Sequence, residues 1–261
     1  MRGDHKAGKN LIFCTDGSFL RILQKDPSLS DTSHVLLDEI HERRWQQDLI
    51  YHLMLQSQEF YNDKLTLLNL SATLDGFDIP DSIPILQSEG KMFPVQIEHY
   101  PNRPAARWLE EFILWVKTIL TQKKGDVLIF LPGLFEINRL HQELTEYHTI
   151  PLHASLKLSQ QQFIFEAREE RKVILATNIA ETSLTIPGIT IVIDSGWTKK
   201  SHYNAIKKGT EILTQKVSQA SALQRQGRAG RTAKGLCFKF WPKSEEKFLP
   251  VKFGDSDNAR I

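Results

Sequence analysis

Short apolar runs that end in polar residues alternate along this chain with segments whose apolar positions recur every three or four residues. That alternation predicts an α/β fold. Leu11–Thr15, Val35–Leu37 and Leu65–Leu70 predict buried strands of a parallel sheet. Between them, Trp45–Gln56 spaces Leu49, Leu53 and Met54 as a helix does. Around residues 76–104 the periodicity fades and Pro80, Pro84, Pro94, Pro101 and Pro104 accumulate, which places a domain boundary near Phe93–Pro104. A second series follows. Trp108, Leu109, Phe112, Ile113, Val116 and Ile119 predict a heavily apolar helix, with Gly125 after it as a stop signal. Val127–Leu131 predicts a strand, and Leu134, Ile137, Leu140, Leu144 and Tyr147 an amphipathic helix. Further strands are expected at Pro151–His153, Val173–Ala176 and Ile189–Ile193, with a helix at Leu158–Arg168. The pattern predicts two doubly wound lobes with mainly parallel sheets, residues 1–95 and 96–261, the first one thin.

Composition changes this picture little. The 261 residues are 41% hydrophobic and 25% charged, with 2 Cys, as in ordinary soluble proteins rather than disordered or disulfide-scaffolded ones. No apolar run approaches the ~20 residues needed to cross a bilayer. The charged start, Met1-Arg2-Gly3-Asp4-His5-Lys6, has no apolar core of a signal peptide. Cys14 and Cys237 stand far apart, so no disulfide partner and a reduced, cytoplasmic protein are expected. Charge changes more. The net +2 divides into 9 Lys/Arg against 14 Asp/Glu over residues 1–95 and 24 against 17 over 96–261. Residues 199–241 hold 10 basic residues and one acid, Glu211, which suits either a polyanion or a solvated basic face.

Four stretches carry candidate chemistry. Asp38-Glu39 follows a predicted strand, at the sheet end where ligands bind. The pair suits Mg²⁺ held through water and a base for an attacking water, or simply a helix start. A zinc reading of Asp38, Glu39 and His41 lacks a His-Glu-x-x-His or Cys pair. Ser71-Ala72-Thr73 closes the next strand, where its hydroxyls suit capping. Thr177-Asn178-Ile179-Ala180-Glu181-Thr182 lies just past Val173–Ala176; its small polar side chains suit phosphate oxygens or an ordinary turn. In Gln224-Arg225-Gln226-Gly227-Arg228-Ala229-Gly230-Arg231, Arg228 and Arg231 are spaced to share a helix face. They fit a nucleotide's terminal phosphates, an RNA backbone or solvent. The glycines suggest close backbone approach. Gly3-Asp4-His5-Lys6-Ala7-Gly8-Lys9-Asn10 imitates a phosphate-binding loop, but it ends in Asn and precedes a strand instead of following one.

The order of these stretches resembles DEAH-box superfamily 2 helicases. Thr15-Asp16-Gly17 with Leu20-Arg21, Asp38–His41 and Ser71–Thr73 look like motifs Ib, II and III. Leu128–Gly133, Thr177–Thr185 and Gln224–Arg231 look like motifs IV, V and VI. Phe13-Cys14-Thr15, Ile193-Asp194-Ser195-Gly196 and Thr214–Ser221 are similar to the bacterial HrpB-like branch. The resemblance runs from about Ile12 to Phe240. It implies two RecA-like domains, ATP and Mg²⁺ as cofactors, and single-stranded RNA as partner. Asp38 and Glu39 would handle the metal and the water. Gln224, Arg228 and Arg231 would reach the γ-phosphate, and His41, Ser71 and Thr73 would couple nucleotide state to movement. Thr15, Gly17, Thr177, Asn178 and Thr182 would hold the nucleic-acid backbone, and the segment around Gly209 matches the family's strand-separating hairpin.

Motifs I and Ia, which precede motif Ib in the family, find no match, and Val251–Ile261 departs from the family before its C-terminal domains. The first domain is therefore expected to be truncated at its N-terminus. The preceding segment and the C-terminal domains of a parent helicase are its expected partners, and the chain alone is expected to bind ATP weakly and hydrolyse it negligibly. A non-catalytic RNA-binding adaptor derived from a helicase is the alternative. A DNA translocase or nuclease fits less well, because nothing beyond Asp38-Glu39 supplies a metal-carboxylate cluster.

Overall fold

A computed structural model describes residues 6–7, 10–42, 44–72, 74, 79–88, 90, 92–102, 107–156, 164–165, 170–181, 186–204 and 208–251. The chain divides into two units between Ile85 and Leu86.

The first unit starts with a ribbon. Strands β1 (Lys6–Ala7) and β2 (Ile12–Phe13) pair antiparallel, and Leu11, Ile12 and Phe13 are exposed. The buried parallel strand expected at Leu11–Thr15 is therefore corrected: among the described residues its apolar positions pair antiparallel with the segment just before them and stay exposed. Helix α1 (Asp16–Lys25) follows, with Thr15 as N-cap accepting from the Ser18 N–H at 3.3 Å. The Asp26 carboxylate then accepts from the Ser28 hydroxyl and from the N–H groups of Ser28, Leu29 and Ser30. Those bonds, led by Ser28, hold its carboxyl below the ordinary value. They also brace Leu29, which is buried at a left-handed φ of 46°.

Strands β3 (His34–Leu37) and β4 (Thr66–Asn69) pair in parallel, joined through helix α2 (Trp45–Phe60). Strand period two sends Val35 and Leu37 onto Leu23, Ile50, Met54 and Leu65, while Leu36 and Leu68 point the other way and are exposed. These strands are half-buried, not buried on both faces as the aliphatic runs suggest. Both helices contribute to the single core layer, which leaves the opposite sheet face bare among the described residues.

The second unit is the larger. Its elements are β5 (Val95–His99), α3 (Trp108–Gln122), β6 (Asp126–Phe130), α4 (Leu134–Glu143), β7 (Thr149–Leu152), β8 (Val173–Ala176) and β9 (Ile189–Asp194). Then come β10 (Trp197–Asn204), β11 (Gly209–Lys216), α5 (Gln219–Gly227) and β12 (Gly235–Lys239). Six strands form one parallel sheet in the order β5-β12-β9-β6-β8-β7. Both faces are covered, as parallel sheets require. Ile129 and Val127 pack with Phe112, Val116, Ile137 and Phe240 on one side, and Leu128 and Phe130 with Ile174, Val192 and Cys237 on the other. Burial drives the Cys237 thiol far above its ordinary value, and burial beside Asp16 raises that of Cys14. The helix expected at Leu158–Arg168 falls largely outside the described residues. Strands β10 and β11 stand off the sheet as an antiparallel hairpin with eight paired positions. Among the described residues no helix is long and apolar enough to cross a membrane.

Candidate functional site

In the first unit the carboxylates sit where β3 ends. Asp38 is exposed; its Oδ1 accepts from the Glu39 N–H at 3.0 Å, and its carbonyl accepts from Gln47 Nε2 at 2.7 Å. Glu39 adopts φ 58°, a left-handed conformation that residues other than Gly, Asn and Asp rarely take. Strain of this kind is stored where a side chain must point in a particular direction. Glu39→Gly is expected to raise the unit's stability by about 1 kcal/mol while removing the carboxylate. Urea midpoints of the two proteins check it.

Motifs II and III meet at one imidazole. The N–H of Ile40 donates to the Leu70 carbonyl at 3.1 Å, prolonging the β3–β4 pairing beyond the strand ends. His41 is buried, and its Nδ1 lies 3.3 Å from the Ala72 N–H, which donates to it. Glu39 Oε2 lies 3.4 Å from the same nitrogen. Ser71 is half-buried beside this junction, whereas Thr73 lies outside the described residues. Thr15 caps α1 and is exposed; Gly17 is also exposed, in the first turn, where a Cβ would meet nothing within 4 Å. Lys6–Ala7, inside the imitation phosphate loop, is paired strand, so that part of the segment is extended and not a turn with its N–H groups converging on an anion.

In the second unit, motif V starts where β8 ends. The N–H of half-buried Thr177 donates to the Leu152 carbonyl at 3.1 Å, and exposed Asn178 opens a short 3₁₀ turn. Thr182 lies outside the described residues. Motif VI departs from the expected continuous helix. α5 stops at Gly227, Arg228–Gly230 form a 3₁₀ turn and Arg231 follows it. Residues three apart eclipse in a 3₁₀ turn, so the spacing still converges. Arg228, buried, and Arg231, exposed, line one small pocket with Leu128, Ile186 and Ile189. Gln224 is half-buried on α5.

The close approach suggested by the glycines is present at Gly230. A Cβ there would lie 2.5 Å from the Phe93 carbonyl oxygen and 2.8 Å from Val95 Cγ2. The Phe93 N–H also donates to the Gly230 carbonyl at 2.8 Å, so backbone packs on backbone beside the two arginines. Gly230→Ala is expected to cost about 1–3 kcal/mol through overpacking. Chemical denaturation of the 86–252 unit measures it.

Sequence reasoning passed over Arg225, which is 0% exposed. Its Nε donates to Glu181 Oε1 at 2.7 Å and its Nη1 to Asp194 Oδ1 at 2.7 Å, with the guanidinium 4.9 Å from the Phe130 ring centroid. Burial opposes the charge, but Asp194 and Glu181 together outweigh it and raise the guanidinium above its ordinary value. The second Glu181 oxygen accepts from Ser221 Oγ at 2.7 Å, and its carbonyl accepts from Arg228 Nη2. Nothing in the spacing of motif VI signals this; the partners lie 44 and 31 residues away.

Among the described residues no cluster of three His, Cys, Asp or Glu could hold a metal alone. Mg²⁺ needs no such cage, since it keeps waters and binds through one or two carboxylates and substrate phosphates. The hard oxygens of Asp38 and Glu39 fit that requirement.

Residues 107–233 match the helicase conserved C-terminal domain. Over 257 residues the chain is 38% identical to the ATP-dependent RNA helicase HrpB of Escherichia coli strain K12, covering 94% of this chain and 32% of that protein. The crystal structure of the Escherichia coli DEAH/RHA helicase HrpB superposes with a TM-score of 0.84 at 37% identity, covering 90% of this chain and 31% of that one. A crystal structure of the E. coli DExH-box NTPase HrpB gives a TM-score of 0.79 at 37% identity, over 90% and 30% of the two chains. The chain thus spans less than a third of the length of these relatives.

Proposed function

Because the chain belongs to the HrpB-like DEAH-box helicases, we propose that it binds ATP with Mg²⁺ and contributes to a hydrolysis that drives movement along single-stranded RNA. One observation carries this reading: Arg228 and Arg231 line a single pocket, with Arg228 held by the backbone of motif V. Two guanidinium groups there donate in parallel to terminal phosphate oxygens and offset the charge that develops as the phosphoryl group departs. Gln224, one turn before Arg228, helps to position the attacking water. Glu39 would accept the proton of that water, and Asp38 would hold the metal. Mg²⁺, when bound, neutralises charge on the phosphate oxygens. His41, through its contacts with Glu39 and the Ala72 N–H, carries a change at the carboxylates to motif III, where Ser71 and Thr73 belong. Thr15, Gly17, Thr177, Asn178 and Thr182 contact the RNA backbone, which gives affinity without reading sequence. A reduced, cytoplasmic setting suits such a protein.

Titration with a fluorescent ATP analogue and Mg²⁺ tests the reading. Arg228→Ala is expected to weaken binding by about tenfold or more, the value of a lost charge-assisted pair. RNA binding should fall steeply with salt and respond to the nucleotide. Salt-dependent RNA binding that ignores both ATP and Arg228→Ala would instead establish the non-catalytic adaptor.

A further inference from the structure

We propose that Arg225 is a positioning residue: it ties motif V to motif VI and to the root of the β10–β11 hairpin, and through those ties it sets the direction of Arg228. The proposal rests on the nucleotide-binding reading above for the purpose of that direction, though not for the ties themselves.

Glu181 works at two levels. Its carboxylate holds α5 at positions one turn apart, Ser221 and Arg225, and its backbone carbonyl receives Arg228. The group that fixes α5 is therefore also the group that fixes the arginine beyond its end. On the other side, Asp194 Oδ1 accepts from Arg225 and from the Gly196 N–H at 2.8 Å. Gly196 has φ 76°, the turn that sends the chain into β10, and the Val217 N–H returns to its carbonyl at 3.0 Å where β11 ends. Arg225 Nη1 also reaches the Trp197 carbonyl, the first residue of β10, at 3.4 Å. Both ends of the hairpin root are thus within one or two bonds of Arg225.

Arg225 does not line the pocket formed by Arg228, Arg231, Leu128, Ile186 and Ile189. Being 0% exposed, it would act on a bound nucleotide only through another residue. A planar guanidinium suits the task, because it spans two carboxylates in fixed directions while stacked on Phe130. A lysine ammonium keeps the charge but not the directions.

The test uses Arg225→Lys and Glu181→Gln in the full chain, read by amide hydrogen exchange without nucleotide and by titration with a fluorescent ATP analogue and Mg²⁺. Exchange at Gly196–Thr198 and at 228–231 is expected to quicken by about tenfold, with the β6 and β8 amides changing less than about twofold. Nucleotide affinity is expected to fall by about fivefold or more, and adding Arg228→Ala is expected to cost little further, because the two changes act on one arginine. Unchanged exchange at those amides, or equal quickening across the whole sheet, overturns the positioning role. Losses that simply add to that of Arg228→Ala overturn it too. If the unaltered chain binds no analogue, the nucleotide reading fails while the exchange result still decides the ties. Should either variant fail to fold, Ser221→Ala removes one bond to Glu181 and is read by the same two measurements, with the same local pattern expected.

Discussion

Arg225→Ala is expected to cost the 86–252 unit about 3–5 kcal/mol, the usual penalty for leaving a buried charge without its partner. The truncation strands Glu181 and Asp194, both buried, and removes the stacking on Phe130. In a unit of this size the melting temperature should fall by roughly 10 °C. The size of the loss reflects isolation of the carboxylates more than the net worth of the pairs. Exchanging Arg225, Glu181 and Asp194 together for apolar residues of similar volume is therefore expected to recover much of the stability. Thermal unfolding of the single and triple variants measures both expectations. Recovery of stability without recovery of nucleotide affinity would separate holding the fold from aiming Arg228.

Trp241→Ala is expected to be comparably severe, about 3–5 kcal/mol, and lies outside the matched helicase C-terminal segment. Trp241 is 1% exposed and packs with Val217, Ala222 and Leu249. Its ring lies so close to Gly196 that a Cβ there would meet Trp241 Cε3 at 2.7 Å. The deletion therefore opens a cavity under both ends of the hairpin root. Guanidinium unfolding followed by circular dichroism gives the cost. The exchange rates of the Gly196 and Val217 amides should rise along with it.

How much could be read from the sequence depended on where each segment's partners lie. Val173–Ala176 is legible because a parallel strand buried on both faces is a continuous aliphatic run whatever packs against it. Trp108–Gln122 and Leu134–Glu143 are legible because one stripe of each is apolar. Edge strand β5, Val-Gln-Ile-Glu-His among prolines, has no such run, and Gly-Leu-Cys-Phe-Lys of β12 hides behind motif VI. At Leu11–Thr15 the aliphatic run itself misled, because an apolar segment in a short exposed ribbon reads the same as one in a sheet. Within the site, motif spacing places Asp38, Glu39, Arg228 and Arg231 at strand and helix ends. The left-handed Glu39 backbone and the partners of Arg225 are products of tertiary packing, and no local spacing encodes them.

The hairpin gives that packing a mechanical meaning. At about 3.3 Å per residue, eight paired positions carry the far ends of β10 and β11 roughly 26 Å from the root that Arg225 and Trp241 hold. By lever geometry alone, a rotation of a few degrees at that root would displace the far ends by a couple of ångströms.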